Sequence, residues 1–297
     1  MSQFFSNEPL TDIWRYRESG YAEKLVDHVL AAAGEEWEVY LHLELSRWKG
    51  QDLQIQPSRR KKVVICIGDE SARTDYPFRD QVDIIFRMYL PQDQQGNIFH
   101  IPVGPSREFR PDAIIPLHER AHNVFFSGNL HGGRAELYQV LAGAPPMPFA
   151  LLHRLRWLLG ENLDKKFPDS IIRFSKGFHN GIPPQEYARY LGNSKIVLCP
   201  AGIENPETMR HFEAASLGCI ILTKPLPDAH VYRTAPFIVL PSWRELKPTV
   251  NQLLREPSRM QELHLATLEW WRSTASAEAV AAYMLHKMTT AQVGSLN

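Results

Sequence analysis

The chain has 297 residues, of which 44% are hydrophobic and 22% are charged. That balance is ordinary for a globular protein and excludes a mainly disordered or fibrous chain. The 33 basic and 33 acidic residues cancel at pH 7, so no global field attracts nucleic acid or an anionic membrane, and a charged ligand must be bound by local groups. The length exceeds the usual single-domain range and predicts two domains.

The first residues show no secretion-signal pattern, and no apolar stretch approaches the ~20 residues that are needed to cross a bilayer. We therefore expect a cytoplasmic protein without a transmembrane segment, and no nucleic-acid partner. The three cysteines, Cys66, Cys199 and Cys219, lie in or beside apolar runs without metal-ligand spacing. This arrangement predicts buried thiols.

The N-terminal part combines one amphipathic helix with several short strands. Apolar residues recur at helical spacing within residues 20–33, which predicts a helix. Short β-branched runs predict strands at residues 39–43, 63–67, 82–86 and 98–103. Three prolines mark residues 104–120 as a connector. We therefore place the domain boundary there, with an N-terminal domain at residues 1–118 and a C-terminal domain with terminal helices at residues 119–297.

Strands and helices alternate along the C-terminal part. The pattern predicts strands at residues 123–127, 170–175, 195–199, 219–222 and 237–240, and helices at residues 134–141, 149–159, 183–191 and 206–217. The tail from Trp243 onward is helical in pattern. Such alternation is typical of a parallel sheet with right-handed crossovers. The predicted fold class is α/β, with two Rossmann-like domains, a cleft between them, and C-terminal helices that pack near the hinge.

One loop and the helix predicted after it carry the most informative residues. In open α/β sheets, ligands bind outside the carboxyl ends of the strands, where helix N-termini attract anions. The spacing of Glu207, Arg210 and Glu213 places all three on one face of the predicted helix. A guanidinium binds phosphate oxygens and a carboxylate accepts hydrogen bonds from ribose hydroxyls, so this face suits a nucleoside diphosphate. The same spacing is also that of an ordinary surface ladder of ion pairs.

Two segments carry a family resemblance. SKIVLCPAGIENPETMRHFEAASLGCIIL, residues 194–222, resembles the donor-binding signature of exostosin-type glycosyltransferases and the related ribitol xylosyltransferases. The likeness comprises a strand ending in Cys-Pro, a Gly-containing loop, an Arg followed three residues later by Glu-Ala, and a Gly-Cys-Ile turn. NVFFSGNLHGGRAELYQVL, residues 123–141, is similar to the opening of the donor domain in the same family.

This resemblance implies a GT-B fold and a glycosyltransferase that moves a sugar from a nucleotide-sugar donor to a hydroxyl of a glycan, polysaccharide or lipid-linked acceptor. It also implies donor contacts from the Gly-rich turn and the arginine after it. The residues concerned are Ser127, Gly128, Asn129 and Arg134. Lys176 and His179, which follow the strand predicted at residues 170–175, are further candidates for donor contacts.

Inverting transfer needs a general base near the acceptor and stabilisation of the departing diphosphate. Arg210 and the helix end meet the second need, whereas Glu70 or Asp69, directly after the strand at residues 63–67, is the candidate base. His100 is a rival for that role. The chain contains no Asp-x-Asp pair, so we expect metal-independent transfer without a cofactor.

Other functions stay open at this stage. A non-catalytic nucleotide-sugar-binding protein would keep the donor fold and lack the acceptor machinery, and an epimerase or phosphorylase can use the same scaffold. Walker, dinucleotide-binding and nucleophile-elbow motifs are missing from the sequence, which argues against kinases, dehydrogenases and serine hydrolases.

Overall fold

The computed structural model describes residues 3–44, 52–71, 75–159, 162–175, 177 and 180–293. The chain forms two compact units. The first unit comprises residues 1–107, 227–234 and 272–297, and the second comprises residues 108–226 and 235–271. This division differs from the predicted boundary at residues 118 and 119, and it assigns the last helix to the first unit. A helical pattern shows that a face is apolar but not which element that face packs against.

The strands, in chain order, are β1 (Gln3–Ser6), β2 (Trp37–Leu43), β3 (Lys61–Ile67), β4 (Ile84–Arg87), β5 (Gln94–Gln95), β6 (Ile98–His100), β7 (His122–Asn129), β8 (Ile171–Ser175), β9 (Ser194–Cys199), β10 (Ile220–Thr223) and β11 (Ile238–Val239). The helices are α1 (Leu10–Ile13), α2 (Ser19–Ala33), α3 (Ala135–Ala142), α4 (Phe149–Leu159), α5 (Pro184–Gly192), α6 (Met209–Ser216), α7 (His230–Arg233), α8 (Leu246–Leu253), α9 (Pro257–Trp270) and α10 (Ala277–Val293).

The first unit contains a six-stranded sheet with the order β1-β2-β3-β4-β6-β5. Its neighbouring strands are parallel, except that β5 runs antiparallel to β6. The central strands β2, β3 and β4 are apolar and mostly buried, as expected for a parallel sheet covered on both faces. Helix α10 packs on α2 within this unit, which explains why the C-terminal helix belongs here.

The second unit contains a five-stranded, entirely parallel sheet with the order β11-β10-β9-β7-β8. After β7 the chain adds β8 on one side, and β9 to β11 then extend the sheet on the other side. The direction of strand addition therefore reverses between β7 and β9. In doubly wound sheets this switch point opens a crevice at the carboxyl ends of the two strands, where ligands bind.

The predicted α/β fold class with two parallel-sheet domains is confirmed, and so are the buried thiols. Three details differ. The strand predicted at residues 98–103 ends at His100, because Pro102 cannot donate a ladder hydrogen bond. The sequence did not predict β1, a four-residue strand that pairs with β2, or the short elements β5, α1 and α7. The third difference is the start of α6, which the sequence placed at residue 206.

Helix α6 begins at Met209 because a capping box stops it there. The Thr208 side chain accepts from the backbone of His211, and the His211 ring accepts from the Thr208 backbone N–H, with 3.2 Å between Thr208 N and His211 Nδ1. The same ring reaches Thr223 at the end of β10, with 2.8 Å from Nε2 to Oγ1. Glu207 consequently precedes the helix, and the prediction that it shares a helix face with Arg210 is wrong.

Within the described residues, no helix is both long enough and apolar enough to cross a membrane.

Arg120 joins three pieces of the second unit. It is almost completely buried. Its Nε donates to the Ile115 carbonyl at 3.0 Å, its Nη1 donates to the Ser194 carbonyl at 2.9 Å, and its Nη2 donates to the Leu217 carbonyl. The guanidinium therefore satisfies carbonyls at the start of β9 and at the end of α6, where a cation also complements the helix dipole.

We expect Arg120→Met to lower the free energy of unfolding by about 3 kcal/mol, since it leaves buried carbonyls without donors. Urea unfolding followed by circular dichroism measures the change. Arg255→Met is the matched control: Arg255 is exposed, and its side chain donates from Nε to the nearby Asn251 carbonyl at 3.0 Å, so the expected change is within about 0.5 kcal/mol. Equal stability of the two variants would contradict the assigned role of Arg120.

A second prediction concerns pH. Burial lowers the pKa of His211 to about 3, whereas a histidine in an unfolded chain titrates near ~6.5. Above that pH both states are neutral at this position. Below it only the unfolded chain takes up the proton, so His211 lowers stability by about 1.4 kcal/mol per pH unit down to about pH 3.

We therefore expect the unfolding free energy of His211→Asn to depend less steeply on pH than that of the wild type between pH 6.5 and 5, by about 2 kcal/mol over the interval. Urea unfolding at several pH values gives both slopes. His118→Asn is the control, because His118 is exposed. Parallel slopes for wild type and His211→Asn would show that His211 does not stay neutral in the folded state.

Candidate functional site

Two loops meet at the carboxyl ends of β7 and β9, the switch point of the second sheet. Arg134, at the end of the loop after β7, donates from Nε to the carbonyl of Ala201, at 3.3 Å, in the loop after β9. A Cβ added to Gly133 would lie 3.0 Å from the carbonyl oxygen of Gly202. The loops are thus in direct contact, and the N-terminus of α6 follows the second of them.

Arg210, the second residue of α6, is a buried cation with unused donors. It is only 9% exposed, and its Nη2 donates to the Ser127 carbonyl at the end of β7. Its guanidinium carbon lies 4.9 Å from the ring centroid of Phe126. Its Nε and Nη1 are buried and have no hydrogen-bond partner among the described residues. Such groups are rare in folded proteins and need an explanation.

The charge on Arg210 persists in spite of burial. Burial by itself lowers the pKa of the guanidinium, but interactions with Tyr187, Cys199 and Glu213 outweigh it and raise the pKa above its ordinary value. A buried cation with two unsatisfied N–H donors favours the binding of an anion whose oxygen atoms can accept those hydrogen bonds.

Arg134 provides a second guanidinium at the same place. Its Nη1 donates to the carbonyl and to Oδ1 of Asn129, both at 3.0 Å. A Cβ added to Gly128 would lie 2.7 Å from Nη1 of Arg134 and 3.1 Å from Nη2 of Arg210. Both cations therefore converge over the bare backbone of Gly128. Because like charges at this spacing repel, a ligand with several negative oxygens stabilises the pair.

Glu213 lies one turn after Arg210 on α6 and is also buried. The hydroxyl of Tyr187, on α5, donates to its Oε2 at 2.8 Å. Burial, and then the charge of Glu213, raises the pKa of Tyr187 well above its ordinary value, so the hydroxyl remains a donor at neutral pH. This bond fixes the orientation of a carboxylate that can accept hydrogen bonds from a ligand.

Two histidines of this region were not selected from the sequence. His211 connects the start of α6 to β10 and so fixes the place of its neighbour Arg210. His131 lies in the loop after β7, where its Nε2 is buried without a partner among the described residues. Burial, followed by the charges of Arg134 and Arg210, lowers the pKa of His131 to about 4. The Gly-rich turn signalled this loop, but nothing in the spacing distinguished the histidine.

The structure brings together Ser127, Gly128, Asn129, Arg134, Arg210 and Glu213 from the predicted donor set. Glu207 is buried just before α6, and its backbone N–H donates to Oδ1 of Asn205 at 2.9 Å. Lys176 and His179 lie outside the described residues.

The candidate bases belong to the first unit. Asp69 is buried in an ion pair with Arg87 and also accepts from Oγ of Ser71 at 2.9 Å. Glu70 is half-buried. Its charge acts on Glu18, a residue that the sequence did not single out and whose pKa is raised, mainly by burial. His100 is completely buried. Of the predicted pair, Asp69 is therefore the carboxylate that an arginine holds in a buried ion pair.

Among the described residues, no group of three or more His, Cys, Asp or Glu side chains is arranged to hold a metal ion. Metal-independent chemistry stays a prediction.

No protein-family model and no curated protein matches the chain. Solved structures do match it. Anabaena HepE in complex with UDP is 10% identical, with a TM-score of 0.52, and the match covers 98% of this chain and 100% of that one. A glycosyltransferase from Rickettsia africae ESF-5 is 10% identical, with a TM-score of 0.51 and coverage of 91% and 80%.

An alpha-glucosyltransferase in complex with UDP-glucose and DNA containing an abasic site is also 10% identical, with a TM-score of 0.50 and coverage of 92% of this chain and 84% of that one. At such identities the likeness concerns the fold alone. Together with the two parallel-sheet α/β units, it shows that the chain has the GT-B fold.

Proposed function

We propose that the chain is a glycosyltransferase that holds the diphosphate of a nucleotide-sugar donor between Arg134 and Arg210 and transfers the sugar to a hydroxyl. One observation carries this proposal. Two buried nitrogens of Arg210 have no hydrogen-bond partner in the part of the chain that the structure describes, and they lie next to a second guanidinium at the switch point of a doubly wound sheet.

A diphosphate matches this site better than a single carboxylate or a neutral ligand does. Its two phosphates present several charged oxygens, enough to engage both guanidinium groups at once. The dipole at the start of α6 adds further attraction for an anion. During transfer, negative charge grows on the leaving diphosphate, so the same cations stabilise the transition state more than the ground state.

Residues around the two arginines complete the proposed donor site. Glu213, oriented by Tyr187, is the proposed acceptor for the ribose hydroxyls. Gly128 leaves room over the backbone for the two guanidinium groups, and Ser127 and Asn129 hold the arginines in place through their carbonyl groups. Donor contacts from Glu207, Lys176 and His179 remain part of the proposal.

The similar structures support the donor class. UDP is bound in the Anabaena HepE structure, and UDP-glucose in the alpha-glucosyltransferase structure. The exostosin-like resemblance supports the finer proposal, because its two segments supply Arg134 on one side and Arg210 and Glu213 on the other. On this basis we propose an inverting, metal-independent transfer to a glycan, polysaccharide or lipid-linked acceptor, with Glu70 as the base in preference to Asp69.

One observation favours a second candidate, a nucleotide-sugar-binding protein without transferase activity. Asp69 is occupied by Arg87 inside the first unit, which removes one of the two predicted bases. The two functions differ in a measurable way, since a binder holds the donor without slowly releasing its sugar to water.

The first experiment is a calorimetric screen of the protein with UDP, GDP, CDP and common nucleotide sugars, in EDTA and again with added Mg²⁺. We expect tight binding of one nucleotide class without metal.

We expect Arg210→Ala to raise the activation free energy of transfer by about 2 to 4 kcal/mol, because it removes a charge-assisted phosphate contact. Glu213→Gln should mainly weaken nucleotide binding, since it loses the charged acceptor for ribose hydroxyls.

Arg189→Ala is the control for these variants, because Arg189 is an exposed arginine of the same unit. It should bind and transfer as the wild type does. Wild-type affinity in a folded Arg210→Ala protein would remove the central contact from the proposal. Failure of every nucleotide to bind the folded wild type, with and without metal, would overturn the donor site altogether.

Gly128→Ala tests the convergence of the two arginines. The new Cβ would overlap Nη1 of Arg134 and press on Nη2 of Arg210, so we expect nucleotide affinity to fall at least ~10-fold, or about 1.4 kcal/mol. Gly132→Ala is the matched control in the same loop region, since nothing lies within 4 Å of its added Cβ. Equal affinities in calorimetry would contradict the proposed position of the diphosphate.

A further inference from the structure

His131 lies in the proposed donor site, and the packing of the fold does not explain why a histidine stands there. It lies in the loop between β7 and α3, immediately before the short turn Gly132–Arg134. Its ring packs against Gly133, where an added Cβ would lie 3.2 Å from Cε1 and 3.4 Å from Nδ1. That same added Cβ would lie 3.0 Å from the Gly202 carbonyl. The ring is therefore held where the two phosphate-site loops touch.

One ring nitrogen of His131 has no partner. Nε2 is buried and makes no hydrogen bond within the described residues. A buried imidazole nitrogen in a purely structural role normally finds a partner, as both ring nitrogens of His211 do. Nε2 of His131 thus resembles Nε and Nη1 of Arg210, because all three are buried without a hydrogen-bond partner among the described residues. Both residues lie at the switch point of the same sheet.

The charges that act on His131 are those of Arg134 and Arg210, and both disfavour its protonation. Burial, followed by the charges of these two arginines, lowers the pKa of His131 to about 4, so that the ring is neutral at pH 7. A diphosphate bound to the two arginines adds negative charge beside the ring. That charge offsets the repulsion from the two arginines, and a phosphate oxygen gives the buried ring an acceptor in place of water, so binding raises the pKa of His131.

We propose that His131 is a third ligand of the donor diphosphate and takes up a proton when the diphosphate binds. This inference rests on the proposed function of the site. In the bound state the protonated ring donates a charge-assisted hydrogen bond to a phosphate oxygen. Because binding raises the pKa of His131, the contribution of His131 to affinity grows as the pH falls from 8 towards 6.

The test counts protons. UDP, GDP and CDP are titrated into the wild type and into His131→Gln at pH 6.5, in two buffers of different ionisation enthalpy. The dependence of the observed heat on the buffer gives the number of protons taken up. We expect the wild type to take up a measurable fraction of a proton more than His131→Gln, and its affinity to exceed that of the variant ~10-fold at pH 6 and less at pH 8.

The comparison with His131→Gln removes the proton exchange of the nucleotide's own phosphate, which is common to both proteins. His118→Gln, at an exposed position of the same unit, is the control and should behave as the wild type does. A second readout needs no variant: NMR titration of the wild-type His131 ring should show a midpoint near pH 4 without nucleotide and a clearly higher midpoint with it.

The outcomes separate the inference from the proposed function. Tight nucleotide binding with equal proton uptake by wild type and His131→Gln, or an unchanged NMR midpoint, overturns the role of His131 and leaves the donor site intact. If none of the three nucleotides binds the folded wild type, the proposed function fails and the inference fails with it. Extra proton uptake by the wild type, together with the raised midpoint, establishes His131 as a ligand.

Discussion

The burial of the Arg210 guanidinium is the constraint on which the second unit's site depends. Packing on Phe126 and one bond to the Ser127 carbonyl tie the start of α6 to the end of β7. This arrangement removes the charge of Arg210 from water, and two of its nitrogen donors have no hydrogen-bond partner among the described residues. Native proteins seldom tolerate this cost without a function, because an idle buried donor loses its bonds to water and gains nothing in return.

The surrounding structure keeps that cation in place and charged. The ring of His211 fixes the start of α6, Tyr187 fixes the orientation of Glu213, and Glu213 in turn helps to raise the pKa of Arg210. Arg134 then adds a second cation over Gly128. A site assembled in this way, before any ligand arrives, needs little reorganisation when negative charge enters it, and this is the condition for electrostatic stabilisation of a leaving group.

Much of the fold followed from local patterns. The apolar runs of β2, β3, β7 and β9 and the periodicity of α2 predicted elements whose ends lie within a few residues of those observed. Predictions failed where the deciding contact was remote. The edge strand β1 is short and forms only because β2 offers a pairing partner. The start of α6 depends on a capping box whose histidine also binds β10, and no propensity encodes that bond.

In the candidate site, too, local patterns selected individual residues, whereas the contacts between them depend on remote parts of the chain. Helical spacing selected Arg210 and Glu213, and the Gly-rich turn selected Arg134, because each is a feature of a few neighbouring residues. That both arginines converge over Gly128 depends on β7 lying between β8 and β9, which is a matter of strand order. Asp69 shows what local patterns leave out: it follows a strand as a catalytic carboxylate would, but its ion pair with Arg87 depends on the neighbouring strand.

The two sheets differ in a way that explains why the unusual chemistry is concentrated in the second. In the first sheet, strands β1, β2, β3, β4 and β6 are added in one direction, and the buried charges after β3 and at the end of β4 neutralise each other. In the second sheet the direction reverses between β7 and β9, and the loops there diverge into helices on opposite faces. At that crevice Nε and Nη1 of Arg210 have no hydrogen-bond partner among the described residues, in a place where a ligand can supply the acceptors. The strand order of the second sheet thus brings the guanidinium groups of Arg134 and Arg210 together at the carboxyl ends of β7 and β9.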